Sequence, residues 1–183
     1  MLATRSIDPA ERSAWLRLIR TQRVGPHSFW SLLDRFETDQ AALAALPELP
    51  RQSGTKQPLQ PFAADLAEQE YRALRDLGGH LLVAVDGVFP PLLRQINDPP
   101  PVLSVRGNPD LLAQPSVAMV RARNASTNGQ TIAVVAGRVD IIYPREHGVD
   151  RAVVVAEMPL GMQPTARHFP HRNRIIAGLR RRR

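Results

Sequence analysis

The sequence contains no cysteine and a single lysine, Lys56. Without cysteine there can be no disulfide, no thiolate nucleophile and no thiolate metal ligand, which suits the cytoplasm, the location we expect. No apolar run approaches the ~20 residues of a membrane-spanning helix. Asp8 and Glu11 stand where a secretory signal would need its apolar core, so we expect neither secretion nor a membrane partner.

Aromatic residues are also scarce, at 5% of the chain, so leucine, valine, isoleucine and alanine must supply most of the packing. The apolar fraction of 43% and the charged fraction of 22% are ordinary for globular proteins. A chain of 183 residues can bury a core, and its length fits one domain or a small domain followed by a medium one.

Acidic residues are absent after Glu157, and this imbalance carries the net charge of the chain. The segment that follows holds seven of the 24 basic residues: Arg167, Arg172, Arg174, Arg180, Arg181, Arg182 and Arg183. The rest of the chain has 17 basic and 17 acidic residues, so the formal charge of +7 lies entirely in this segment. Such a field favours a polyanionic partner, most simply nucleic acid phosphate. For residues 180–183 a solvated tail is an equally good interpretation.

Helix signals are dense at the start of the chain. Asp8 has the side chain of an N-cap, Pro9 suits the first helical position and Glu11 lies at capping-box spacing. These signals predict a helix over 8–21. Its apolar face would consist of Trp15, Leu18 and Ile19.

A second helix follows Val24-Gly25-Pro26, and its apolar residues recur at helical spacing: Phe29, Leu32, Leu33 and Phe36. A third, over about 39–46, has Thr38 as its N-cap. The three helices predict an all-helical module over 1–46, which we expect to fold on its own because its local signals agree with one another. Residues 47–60, rich in Pro, Gln, Ser, Gly and Thr, indicate a linker.

The composition changes in the remainder, 61–183. A helix is predicted from Pro61 to Leu77, with Phe62, Leu66, Leu74 and Leu77 on its buried face. Five valine-rich runs then predict strands: 81–85, 102–105, 117–120, 132–135 and 152–156. Because these runs are nearly continuous rather than alternating, they indicate strands buried on both faces, hence a parallel sheet covered by helices. The expected fold class is α/β.

The connections are short for such a sheet. Parallel neighbours need a crossover of about a dozen residues or more, but only residues 121–130 separate Val120 from Thr131. We therefore expect an incomplete sheet that proteases cut near Gln130 and after Glu146, while the helical module stays intact.

The segment HFPHRNRIIAGL at 168–179 resembles the HFPxRNRxIxGLS signature of the bacterial DNA-processing protein A family, DprA or Smf. Four further segments resemble the family in the same order. They are RVGPHSFWSLLDRF at 23–36, its helix-hairpin-helix region; FPPLLRQINDPPPVLSVRGNPDLL at 89–112, the entry to its Rossmann-like domain; SVAMVRARNAS at 116–126, its Gly-Ser-Arg-x-x-Ser loop; and IAVVAGRVDIIYPREH at 132–147, its AGGxDxxYPxEH motif. The resemblance spans nearly all of the chain.

The resemblance implies a Rossmann-like domain over 61–183, single-stranded DNA as the ligand in natural transformation, RecA as a protein partner and a homodimer. Family members carry an SGxAxGID segment where this chain passes from Gln130 to Thr131, and they continue beyond the helix that ends near Leu179. The chain thus resembles a shortened or degenerate member. Because the family places self-pairing and the RecA contact on that later part, we expect weak DNA binding here, without RecA loading or a discrete dimer.

The resemblance also implies a phosphate-binding loop after the third predicted strand. Arg123 and Ser126 match the family there, and Asn124 lies between them. Arg121 and Ala122 replace the family's glycine and serine, which removes easy access to positive φ but adds a charge. An ordinary surface arginine is the alternative interpretation of Arg123.

Two other segments complete the expected DNA site. Gly137 and Arg138 lie in a strand-end loop, where open α/β sheets bind ligands; an ordinary turn is the alternative. His168, next to Phe169-Pro170, is a poor metal ligand without cysteine or a nearby acid, which leaves packing or phosphate contact. We expect a helix to begin at three polar residues and to face phosphate with its N-terminus: Arg172, Asn173 and Arg174. A solvated first turn is the alternative interpretation.

Catalytic motifs are missing from the sequence, which has no Gly-x-Ser-x-Gly, no Walker lysine loop and no Gly-x-Gly-x-x-Gly. We therefore predict a binding protein, not an enzyme, with no catalytic residue, cofactor or metal. Two alternatives stay open: the remnant of a Rossmann-type nucleotide-binding enzyme, and a decayed product without function.

Overall fold

The computed structural model describes residues 4–49, 58–113, 116–119, 140–144, 153–162 and 168–179. Five α-helices lie in these ranges: α1 Pro9–Arg20, α2 Pro26–Phe36, α3 Asp39–Ala45, α4 Ala64–Asp76 and α5 His168–Leu179. Asp8 caps α1 by accepting a hydrogen bond from the Glu11 amide at 2.7 Å, and Thr38 caps α3 by accepting one from Ala41 at 3.1 Å. The caps predicted from the sequence are therefore confirmed.

The first three helices enclose an aromatic cluster. The ring of Trp15 lies 5.1 Å from Phe29 and 5.7 Å from Trp30, and the latter two rings are 5.2 Å apart and nearly perpendicular. Leu18 and Phe29 are fully buried. Edge-to-face rings of this kind stabilise a small core by more than the burial of their surface alone. These three rings therefore strengthen the core of the helical module.

The buried face of α4 differs from the prediction. Leu74 is buried as expected, but Leu66 and Leu77 are 46% and 51% exposed, and the expectation for both was wrong. The helix is rotated so that Glu70 reaches Arg20 of α1 and Leu74 covers Gly79, where an added Cβ would lie 2.5 Å from the Leu74 side chain. An ion pair and one glycine therefore decide the rotation, and periodicity alone could not have indicated either.

Within the described residues, five strands form one sheet: β1 Gly79–Val83, β2 Val102–Arg106, β3 Ser116–Met119, β4 Asp140–Pro144 and β5 Val153–Ala156. Their order is β1-β2-β5-β4-β3, and every pairing described is antiparallel. The α/β class is confirmed, whereas the parallel sheet was wrong. Continuous apolar runs did report burial, because four of the five residues in β1 and in β2 are buried, but burial carries no information about strand direction.

Antiparallel pairing also accounts for the short connection between β4 and β5. Only residues 145–152 lie between β4 and β5, which are hydrogen-bonded neighbours. Antiparallel neighbours can be joined by a short loop, whereas parallel ones need a crossover. β4 was not predicted as a strand, and the predicted strand at 132–135 lies outside the described residues.

The helical module and the sheet share one apolar core. The Trp30 indole donates a hydrogen bond to the Pro99 carbonyl at 2.8 Å, and the backbone amide of Arg5 donates to the Val85 carbonyl at 2.9 Å. The proposed boundary at 46 and the linker over 47–60 stay predictions, and 50–57 lie outside the described residues. These contacts favour cooperation between the two parts over independent folding.

Candidate nucleic-acid interface

One end of the sheet gathers the described residues that border the predicted DNA site. Met119 pairs with Ile141, Asp140 pairs with Val155, and the next residue, Ala156, ends β5. The C-terminal ends of β3 and β5 therefore lie beside the N-terminal end of β4. The chain leaves the described sheet after Met119 and returns to it at Asp140 from this same end.

Six predicted site residues belong to the connection between Met119 and Asp140 and lie outside the described residues: Arg121, Arg123, Asn124, Ser126, Gly137 and Arg138. Their contacts with phosphate stay predictions. The strand register nevertheless shows that both halves of the predicted site start from adjacent strand ends. The residues before the predicted strand at 132–135 follow Met119 in the chain, and those after it precede Asp140. These two residues lie at the ends of neighbouring strands of the sheet.

Helix α5 docks near this end through a close approach. Ile175 is buried, and Gly178 faces the short 3₁₀ helix Leu93–Gln95. A Cβ at Gly178 would lie 2.7 Å from the Leu93 side chain and 2.9 Å from that of Ile96. The glycine is therefore a packing requirement, since any larger residue would push the helix outward. Ile175 therefore faces the inside of the fold.

Arg174 lies on the inner side of α5. Its guanidinium donates to the Asp98 carbonyl oxygen at 2.6 Å, lies 3.2 Å from the Asp98 carboxylate, and forms an ion pair with Glu157. The Arg174 side chain is only 14% exposed. A DNA phosphate would have to displace one of these carboxylates, so the arrangement suits Arg174 to holding α5 in place. Its predicted contact with phosphate is untested.

A polar network continues inward from Arg174. Glu157 is itself buried, and its backbone carbonyl accepts a hydrogen bond from Arg20 at 3.1 Å. Arg20 in turn makes a two-oxygen ion pair with Glu70, the shortest contact being 2.8 Å. The network joins α5, the end of β5, α1 and α4, so it fixes the base on which the predicted site rests.

Four residues of this network were not predicted from the sequence as part of the site: Asp98, Glu157, Arg20 and Glu70. One signal was present for Glu157: it is the last acidic residue of the chain and directly follows a strand. Buried acids require a partner, so its position could have suggested pairing with one of the arginines that follow. No local pattern would have linked it to Arg20.

The position of helix α5 shows where its other predicted residues lie along the chain. The helix begins at His168, four residues before the predicted start at Arg172. Asn173 is exposed, on a different side of the helix from Ile175. Asn173 is thus open to solvent, whereas the side chains of His168 and Arg172 lie outside the described part of the helix.

Metal-ligand clusters of three or more His, Cys, Asp or Glu residues are absent from the ranges that the structure describes. Within the same ranges no helix is long and apolar enough to cross a membrane.

The chain matches two protein families along its length. Residues 9–73 match the DprA-like N-terminal HHH domain. Residues 80–130 and 125–182 match DNA recombination-mediator protein A, in two segments. The division between the segments falls next to Gln130, the position at which the sequence is expected to lack the SGxAxGID segment. The helical module and the sheet region therefore correspond to consecutive parts of one kind of protein.

Curated relatives carry corresponding names. The chain is 32% identical over 140 residues to the DNA processing protein DprA of Streptococcus pneumoniae strain R6, covering 52% of this chain and 49% of that protein. It is 26% identical over 233 residues to the protein Smf of Synechocystis, covering 94% of this chain and 57% of that protein. This chain thus spans about half the length of these relatives.

Among solved structures, the X-ray structure of DprA from Streptococcus pneumoniae resembles this chain with a TM-score of 0.46 and 20% sequence identity, over 92% of this chain and 70% of that one. The family matches cover the helical module and more than half of the chain besides. The chain therefore belongs to the DNA recombination-mediator protein A (DprA/Smf) family.

Proposed function

We propose that this protein binds single-stranded DNA in DNA processing during natural transformation, and that it acts as a binding protein rather than an enzyme. The observation that carries the proposal is the convergence at one sheet end. The connection holding Arg121, Arg123 and Arg138 is anchored there by Met119 and Asp140, and α5 docks there through Glu157. Family membership supports the class of ligand.

The charge distribution supports phosphate as the group recognised. The whole formal charge of +7 lies after Glu157, so α5 and the residues around it supply the excess positive charge. Since Arg174 is paired with Glu157 and Asp98, we assign phosphate contact chiefly to Arg123 and Arg172, with Asn173 beside them. Contacts of this kind give affinity without base readout, because every nucleotide carries the same phosphate.

Fluorescence anisotropy with labelled oligo-dT at several salt concentrations tests the proposal. Each lost phosphate contact should lower the salt slope by about 0.7 for a single strand, so replacing Arg123 and Arg172 with alanine should lower it by about 1.4. Arg72→Ala is the matched control, because Arg72 is exposed and already paired with Glu68. Deleting residues 180–183 measures the share of the terminal arginines separately.

Two results would contradict the proposal. Salt-insensitive binding of free nucleotides without oligo-dT binding would indicate a nucleotide-binding enzyme remnant instead. The second is loss of all binding on deletion of residues 180–183, with no effect of the Arg123 and Arg172 replacements. It would show that the terminal arginines alone bind DNA, without specificity. That this chain neither loads RecA nor forms a discrete dimer stays a prediction, and light scattering with a RecA-filament assay checks both.

A further inference from the structure

A groove of about 490 Å³ lies beside β1, away from the site described above. It runs between the C-terminal turn of α4 and the outer edge of β1. In the strand order, β1 and β3 are the two edge strands, with β2, β5 and β4 between them. The groove is therefore a separate surface from the connection that starts at Met119.

The charges that line the groove do not cancel. Its acidic residue, Asp86, is held by the Arg12 guanidinium through two hydrogen bonds of 2.6 and 2.9 Å. Arg75 and His80 also line it, and both are exposed. Among the described residues neither side chain has an ion-pair partner. Arg75 therefore provides a free positive charge, with His80 as an additional donor.

Arg106 increases the positive charge beside the groove. It is the cross-strand partner of Gly79, and it is exposed. Cross-strand partners project on the same face of a sheet, and α4 covers that face because Leu74 contacts Gly79. Since Arg75 lies in the last turn of α4, both arginines belong to this face of the sheet. Asp76, the acidic neighbour of Arg75 in sequence, does not line the groove.

The edge of β1 adds a backbone donor. The Leu81 carbonyl accepts a hydrogen bond from Arg12 at 2.6 Å, and the Val83 amide donates one to Asp86 at 2.8 Å. The backbone amides and carbonyls of the odd-numbered residues of β1 therefore point away from β2. The Ala84 amide donates to the Pro101 carbonyl at 2.9 Å, which confirms the alternation. The Leu81 amide is thus directed to the groove side. Backbone amides beside a cationic side chain suit an anion.

We propose that this groove binds a backbone phosphate of nucleic acid and forms a second contact for the same single strand, an inference that rests on the proposed function. The open edge is too short for an added peptide strand, since Arg12 and Asp86 already occupy the Leu81 carbonyl and the Val83 amide. Tyr71 also lines the groove, and an aromatic ring beside a cation fits a nucleotide better than an acidic peptide.

The test compares short and long oligonucleotides on the full chain. The variant is Arg75→Ala with His80→Ala, and the control is Arg72→Ala, one turn away on α4 and outside the groove. We expect dT30 to bind the variant three- to tenfold more weakly, with a salt slope lower by about 0.7. Binding of the dinucleotide dT2, whose single internucleotide phosphate cannot engage both sites at once, should stay within twofold of the unmodified protein. Adding Arg106→Ala should weaken dT30 further.

The outcomes separate the two proposals. If the unmodified protein binds no oligonucleotide, the proposed function is wrong and this inference with it. If it binds dT30 and the Arg75 and His80 replacements change nothing, only the groove is wrongly assigned. Poly-glutamate binding that is lost in the variant while dT30 binding persists would reassign the groove to an acidic peptide. Equal melting temperatures of variant and control exclude misfolding.

Discussion

The Arg12 guanidinium binds both carboxylate oxygens of Asp86, at 2.6 and 2.9 Å, across 74 positions of sequence. The same two side chains complete the outer edge of β1, because Arg12 donates to the Leu81 carbonyl and Asp86 accepts from the Val83 amide. One ion pair thus joins the helical module to the sheet. It also occupies strand-edge groups that could otherwise pair with another chain.

Breaking this pair should be costly. Asp86→Ala leaves the Val83 amide without its acceptor and Arg12 with only the Leu81 carbonyl, and removing one partner of a largely buried pair costs about 3 kcal/mol. The free energy of unfolding from urea titration measures it. The control is Glu68→Ala, which removes an exposed ion pair between Glu68 and Arg72 within α4. This substitution should cost less than about 0.5 kcal/mol. Equal effects would contradict the role assigned to Arg12 and Asp86.

Gly178→Ala should loosen the attachment of α5. The added methyl group would lie 2.7 Å from the Leu93 side chain, and overpacking of this kind costs about 1–3 kcal/mol. Gly87→Ala is the matched control, because nothing lies within 4 Å of a Cβ there. Thermal melting measures both. A stabilised Gly178→Ala would show that α5 packs less closely than described.

Arg174→Ala should lower stability more than Asn173→Ala does. Arg174 is paired with Glu157 and Asp98, whereas Asn173 is exposed beside it. Loss of a buried charge partner costs about 3 kcal/mol, and an exposed substitution usually stays within about 0.5 kcal/mol. Urea titration distinguishes them. If Arg174→Ala leaves stability unchanged yet weakens binding of oligo-dT, Arg174 is a DNA contact as the sequence predicted.

Asp39 should make stability depend on pH. Burial raises the pKa of its carboxyl above the ordinary value, although hydrogen bonds from its own amide and that of Gln40 oppose this. A raised folded-state pKa means that ionisation disfavours the fold, so the penalty is absent below the unfolded pKa and complete above the folded one. Asp39→Asn should therefore raise the melting temperature at pH 7 but not at pH 3. A larger gain at pH 3 would contradict this.

Both tryptophans, Trp15 and Trp30, lie in the helical module, so their fluorescence reports on that part while far-ultraviolet circular dichroism reports on the whole chain. Because Trp30 and Arg12 contact the sheet region, we expect the two urea transitions to coincide. Fluorescence that persists to higher urea would instead support a module that folds on its own.

The sequence determined the type of each well-capped element, because caps and periodicity act over three or four residues. Asp8 and Thr38 start helices as predicted, and β1, β2, β3 and β5 lie where valine-rich runs predicted strands. The family signature at 168–179 was likewise present in the sequence, and the family matches confirmed it.

Tertiary structure alone decided strand direction, the rotation of α4 and the partners of the charges. Pairing joins residues far apart in sequence, as Gly79 with Arg106, and apolar runs fit either direction equally well. The exposure of Leu66 follows from an ion pair between Arg20 and Glu70 that no local pattern contains. Arg174 has the residue type of a phosphate ligand, yet Glu157 and Asp98 hold it. Residue type sets what a side chain can bind, and its surroundings in the fold decide what it does bind.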